Sequence, residues 1–199
     1  MIPTKEEALK ELEIASKMNP GLWIEHSKNV ARAAYNIASH CQDMDANKAY
    51  VLALLHDIGR RCGVYSVRHI IDGYSYAMEK GWAEVAKICL THSYPIKDNS
   101  LEIGRVDITK EQFDFVKDYL NNIEYDDYDK LVILCDSLGN DKGFCILEKR
   151  FIDTASRYGI FPFSLDRWLE TIKIKEYFDK KIKMNVYAVL PGIEQCVFN

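Results

Sequence analysis

Apolar positions recur along most of this chain at intervals of three and four residues, the period of an α-helix packed on one side. Thr4 and Glu7 have the spacing of a capping box. They predict a helix that ends near Met18, where Asn19-Pro20-Gly21 breaks the pattern. From Leu22 to about Cys41 the stripe Leu22, His26, Val30, Ala33 and Ile37 follows one helical face. Asp45 is a suitable cap for a helix through AYVLALLHD that stops near Gly59. GRRCGVYS reads as a loop, with Ser66 as N-cap of VRHIIDGYSYAMEK and Gly81 closing that helix. WAEVAKICLTH forms a shorter helix before Pro95, and the stretch from Ser93 to Ile108 has turn residues without a period. Thr109 and Gln112 form another capping box, YDDYDKLVILCDSLG a further helix, and two more are expected near 144–157 and 165–182. Strand patterning is confined to a weak NVYAVL, so the fold class expected is all-α.

Composition changes this picture little. With 48% hydrophobic and 28% charged residues the chain resembles an ordinary globular protein, and 199 residues suit one domain over 1–199. A chain of this length buries a core without disulfides or a structural metal, so a metal here would serve chemistry first. The net charge of −4 and the lack of a long basic run argue against a nucleic-acid polymer or an anionic membrane as partner. None of the six cysteines forms a CxxC pair, and Cys89 and Cys135 lie in apolar runs as small hydrophobes. That usage suits a reducing cytoplasm, and the charged N-terminal stretch is no signal peptide. Oligomeric state is left open.

The chemistry lies in five histidines and a few aspartates. His56 and Asp57 end the apolar run VLALLHD, His26 shares a stripe with Val30 and Ala33, and Asp136 follows the buried run VILC. A buried carboxylate needs a partner, and a cation shared with His26, His56 and Asp57 would supply one to Asp136. One such residue alone would be a satisfied core histidine or a helix cap, but four on inward faces point to a metal. His69 opens one helix and His92 ends the next, so an antiparallel pair would bring them together. The competing reading makes His69 a surface residue and His92 a partner of its helix dipole. His40, in the last turn of its helix, is read as structural.

The order His26, His56-Asp57, Asp136, with Ile-Gly-Arg after the pair (LLHDIGR), resembles the H…HD…D signature of the HD superfamily of metal-dependent phosphohydrolases. The resemblance covers about residues 20–140. It implies an all-α HD-domain helical bundle holding a metal-binding core, with a C-terminal helical extension at about 141–185. With His69 and His92 the order becomes H…HD…H…H…D, as in the HD-GYP cyclic-dinucleotide phosphodiesterases and the HD-type diadenosine tetraphosphate hydrolases. That likeness implies two divalent transition-metal ions, iron or manganese, with Asp57 bridging them. Three departures keep the substrate unnamed: Gly73-Tyr74-Ser75 is only a partial echo of GYP, His56 and His69 are 13 residues apart, and Ser-Tyr-Pro follows His92.

On this basis the expected activity is hydrolysis of a small anionic phosphate ester, a nucleotide or dinucleotide among the candidates, by metal-activated water. Asp57 and Arg60 are the expected catalytic residues. Arg60, Arg61, Lys28 and Lys97 are the expected phosphate-binding residues, and Asp72 and Lys28 could orient ligands or the leaving group. Two other readings share the ligand set: a mixed-valence di-iron HD oxygenase, and a nucleotide sensor without turnover.

Overall fold

The structure, a computed structural model, describes residues 1–198. The elements follow the order α1 Lys5–Met18, α2 Trp23–Ala38, α3 Ala46–Leu54, α4 Arg68–Glu79, α5 Ala83–Thr91, α6 Lys110–Asn122, α7 Asp127–Leu138, α8 Leu147–Tyr158, α9 Ser164–Ile182 and α10 Gln195–Phe198. A hairpin of two two-residue strands, β1 Gly139–Asn140 and β2 Gly143–Phe144, joins α7 to α8. The fold is all-α apart from this hairpin.

Capping starts the helices much as the sequence implies. Thr4 with Glu7 and Thr109 with Gln112 form capping boxes, Asp45 caps α3, and Asp126 with Asp129 boxes α7. One start differs. Ser66 does not cap α4; the Asp107 carboxylate reaches back from the 93–108 loop and accepts from the amides of Ser66, Val67 and Arg68 at 2.7–2.9 Å. This long-range contact pins the loop to the helix that carries His69.

Four other expectations are corrected. The helix expected to run on to Gly59 ends at Leu54, and His56-Asp57 lie in the turn that leads into a 3₁₀ segment, Ile58–Cys62. Much of the expected loop GRRC is therefore helical. Leu22 is 72% exposed and precedes α2 instead of lying on its buried stripe. NVYAVL forms a 3₁₀ turn, Val186–Val189, with Asn185 as its cap, because nothing pairs with it as a strand.

The core lies where α2, α3 and α7 meet, with α1, α5 and α9 around them. Half of the buried residues of α2 are alanine (Ala31, Ala33, Ala34, Ala38), which lets its neighbours come close. A smaller cluster of Val67, Ile70, Ile71, Leu90, Tyr94, Val116 and Leu120 joins α4, α5 and α6. Two close backbone approaches matter for the site. A Cβ on Gly59 would fall 2.0 Å from the His69 carbonyl and 2.4 Å from the Gly73 nitrogen, so α4 rests on the bare backbone after the HD pair. A Cβ on Gly139 would fall 2.8 Å from Val30 Cγ2, so β1 abuts α2.

Candidate metal centre

The structure brings His26, His56, Asp57, His69, His92 and Asp136 to the floor of one cleft of about 380 Å³, which all but the buried His56 line. They arrive from α2, the turn after α3, the first turn of α4, the end of α5 and the last turn of α7. Both His69 and His92 are buried, which removes the reading of His69 as a surface residue. His40 stays outside, its Nδ1 at 2.9 Å from the Asn36 carbonyl.

Each of the four rings is oriented in the same way. Nδ1 meets a backbone carbonyl: Gly139 for His26 at 3.1 Å, Ala53 for His56 at 2.7 Å, Ser66 for His69, and Ile88 for His92 at 3.0 Å. A carbonyl only accepts, so each Nδ1 carries the hydrogen and each Nε2 is left for another partner. Such backbone anchoring of the far nitrogen is how ligating histidines are commonly held. The four Nε2 atoms converge on two carboxylates. Asp136 Oδ1 lies 2.9 Å from His26 and 3.5 Å from His56, while Asp57 Oδ1 lies 3.2 Å from His69 and 3.6 Å from His92.

This arrangement is incomplete without a cation. His56 Nε2, His69 Nε2 and Asp57 Oδ1 are buried and lack hydrogen-bond partners among the described residues. A lone pair on nitrogen facing a carboxylate oxygen at 3.2 Å is repulsive unless something positive joins them. The ligand atoms of His26, His56 and Asp57 lie within 4.8 Å of one another, and so do those of Asp57, His69 and His92. Asp57 belongs to both groups. Three or more nitrogen and oxygen donors in each group suit a divalent transition metal, so the residues fit such an ion.

Electrostatics agree. Burial would push Asp57 up, but Arg60, then His56, His69 and His92, hold it well below the usual carboxylate range. Asp136 is also held low: the His26 and His56 rings beside it outweigh its burial. Burial, reinforced by Arg60, drops His69 to about 3, and burial with His56 nearby drops His92 to about 4. Both are therefore neutral at pH 7, as ligation requires. Burial opposes a charge on His56, yet Asp57 and Asp136 draw its pKa up. That pull would equally favour a metal ion in place of the proton.

The expected phosphate-binding residues fare unevenly. Arg60 lines the cleft, but its Nε donates to Asp57 Oδ2 at 2.6 Å and its Nη1 to the Tyr65 carbonyl at 3.4 Å. Arg61 turns away, stacks over Tyr76 at 3.9 Å and pairs with Glu11. Lys28 pairs with Glu25 on the outer face of α2, and Lys97 donates to the Ile123 carbonyl beside a separate groove. Asp72 pairs with Arg68. None of these last four lines the cleft.

What the sequence reading missed is the opposite wall. Arg150, Thr154, Arg157 and Tyr158 of α8 line the cleft, with Asn140 and Asp141 from the hairpin. Positions 150, 154 and 157 share one helical face, but a polar helical face is ordinarily solvated, so the spacing alone gave no signal. Arg167, at the start of α9, lines an adjoining pocket together with His92 and Asp136.

No curated protein and no solved structure matches the chain. The model of the HD domain matches residues 23–141, more than half of the sequence and the span that holds all six converging residues. No helix among the described residues is long and apolar enough to cross a membrane. The chain belongs to the HD-domain family.

Proposed function

We propose that this protein is a metal-dependent phosphohydrolase that cleaves a small phosphate ester at a centre of two divalent ions, iron or manganese. The observation that carries the reading is the sharing of Asp57 between two triads whose Nε2 atoms are aimed inward by backbone carbonyls. Membership in a family made up mostly of hydrolases supports it.

His26, His56 and Asp136 would hold one ion, His69 and His92 the other, and Asp57 would contact both. Bound ions of this kind lower the pKa of a coordinated water and polarise a phosphoryl oxygen. The chain supplies the rest. Backbone carbonyls hold a hydrogen of each of the four imidazoles on Nδ1 and aim Nε2 inward, and Arg60 fixes the rotamer of Asp57 through Oδ2. Asp136, with 29% of its side chain open to the cleft, is placed to accept a proton from a nucleophilic water. The cleft is open enough for a small ester, and arginines on its far wall can bind the non-bridging oxygens.

The test is elemental analysis of the purified protein, then a panel of phosphate esters that includes nucleotides and dinucleotides. Metal-dependent phosphate release that is lost in Asp57→Asn is the expected result. A fully loaded protein that hydrolyses no member of the panel would overturn the reading, and oxygen uptake by a loaded iron form would replace it with the oxygenase.

A further inference from the structure

We infer that the cleft has a second anion subsite, built by Arg150, Arg157 and Arg167, and that the substrate therefore carries a second phosphate group beside the scissile one. This deepens the reading above and rests on it for the word substrate.

The arginines around the cleft differ in whether a carboxylate partners them. Arg60, Arg61 and Arg68 are neutralised by Asp57, Glu11 and Asp72. Arg150, Arg157 and Arg167 have no carboxylate within ion-pair distance among the described residues. Arg150 reaches the Asp136 carbonyl at 3.4 Å, and Arg157 the Asp153 carbonyl of its own helix at 3.3 Å and the Tyr158 ring at 5.5 Å. Arg167 is fixed by donating to the carbonyls of Leu101 at 2.8 Å and Ser93 at 2.9 Å. These contacts orient the guanidinium groups without an ion pair, although Glu102 and Asp136 lie near enough to Arg167 to offset part of its charge.

The three line two adjoining pockets that share Arg150. Arg150 and Arg157 are two turns apart on α8 and line the cleft with His26, Asp57, His69, His92 and Asp136. Arg167 shares the adjoining pocket with Arg150. A neighbouring groove continues from Arg150 and Arg157 along the hairpin, and Arg32, Lys142 and Lys149 line it against only Asp141 and Asp153. A wall with unbalanced positive charge raises the local concentration of anions, and forked guanidinium groups match phosphate oxygens. The His/Asp centre accommodates one phosphate. The arginine wall opposite is surplus to a simple monoester and suited to a diphosphate, as in a nucleoside polyphosphate or a dinucleotide joined by one.

Calorimetric titration of the metal-loaded protein with inorganic phosphate and with pyrophosphate tests this by binding, separately from ester turnover. Pyrophosphate should bind at least tenfold more tightly than phosphate. Arg150→Met and Arg157→Met should each weaken pyrophosphate binding about ten- to a hundredfold, the range for a lost charge-assisted hydrogen bond. Lys110→Met removes the same charge from the exposed start of α6 and should change nothing. Arg167 is left intact, since its loss would strip two carbonyls of their donors, and circular dichroism of each variant checks the fold. Equal binding of phosphate and pyrophosphate, or arginine variants that match Lys110→Met, would overturn the subsite. Arginine-dependent pyrophosphate binding in a protein that hydrolyses no ester would leave the subsite standing and remove the hydrolase. Monoester hydrolysis without that binding would do the reverse.

Discussion

Arg60 Nε lies 2.6 Å from Asp57 Oδ2, and this ion pair leaves Oδ1 of the same carboxylate facing His69 and His92. Arg60 thus acts on the centre from behind the carboxylate that both triads share. The sequence reading gave it a direct grip on phosphate, in which case its loss would leave metal content unchanged.

The geometry predicts a different outcome for Arg60→Ala. Metal affinity should fall about ten- to a hundredfold, as is usual when a group orienting a ligand is removed. Arg60→Lys should recover part of it, since a lysine restores charge without the fork. Metal titration of the three proteins decides, and unchanged affinity beside slower turnover would return Arg60 to the substrate.

Asp57→Asn should abolish metal binding while the helical signal in circular dichroism survives, because a core of this size folds without the ion. The stability cost should stay below the roughly 3–5 kcal/mol of a broken, fully buried pair, since Arg60 keeps 30% of its side chain in solvent. Chemical denaturation beside elemental analysis measures both. Global unfolding would make the site structural.

The two triads make stoichiometry divisible. His69→Ala removes a donor from one and leaves His26, His56, Asp57 and Asp136 intact, so bound metal should drop from two ions per chain to one. Elemental analysis after dialysis reads this directly, and a wild-type content of one ion, unchanged in the variant, would refute the binuclear reading.

Asp107 should matter for stability and for pH. Burial alone would raise its pKa, but the amides of Ser66, Arg68 and Val67 outweigh burial and hold it below the ordinary 3.8. A depressed folded pKa means the unfolded chain binds more protons near that pH, so this stabilisation is present above about 3.8 and is lost as pH falls through the folded value. Asp107→Ala should cost about 1–2 kcal/mol near neutrality, the range for a lost helix cap. That is a fall of roughly 2–8 °C in Tm for a chain of this size. Melting curves of both proteins should converge as the solution is made acid; a constant gap would show that the charge on Asp107 is irrelevant.

Much of this was legible in the residues because it is local. Capping boxes at Thr4 and Thr109 and the apolar runs before His56 and Asp136 are short-range patterns, and the structure brings the six expected ligands to one place. What escaped was non-local. Asp107 caps a helix some forty residues before it, so Ser66, the local candidate, was the natural choice. The turn at His56 replaced a longer helix because Gly59 has to lie flat beneath α4, which no periodicity reports. Arg150 and Arg157 became cleft residues only through the hairpin that folds α8 back over the centre, a reversal written in four residues too short for any strand pattern.

The contact between Gly59 and Gly73 also sets a tolerance. With a Cβ at 59 only 2.0 Å from the His69 carbonyl, even alanine would wedge α4 away from the HD turn. His69 rides on α4 and Asp57 on that turn, so the wedge would act first on the 3.2 Å gap between them. The spacing of the two halves of the centre is therefore gauged by the thickness of a hydrogen atom on each backbone, and the site is as rigid as that contact is bare.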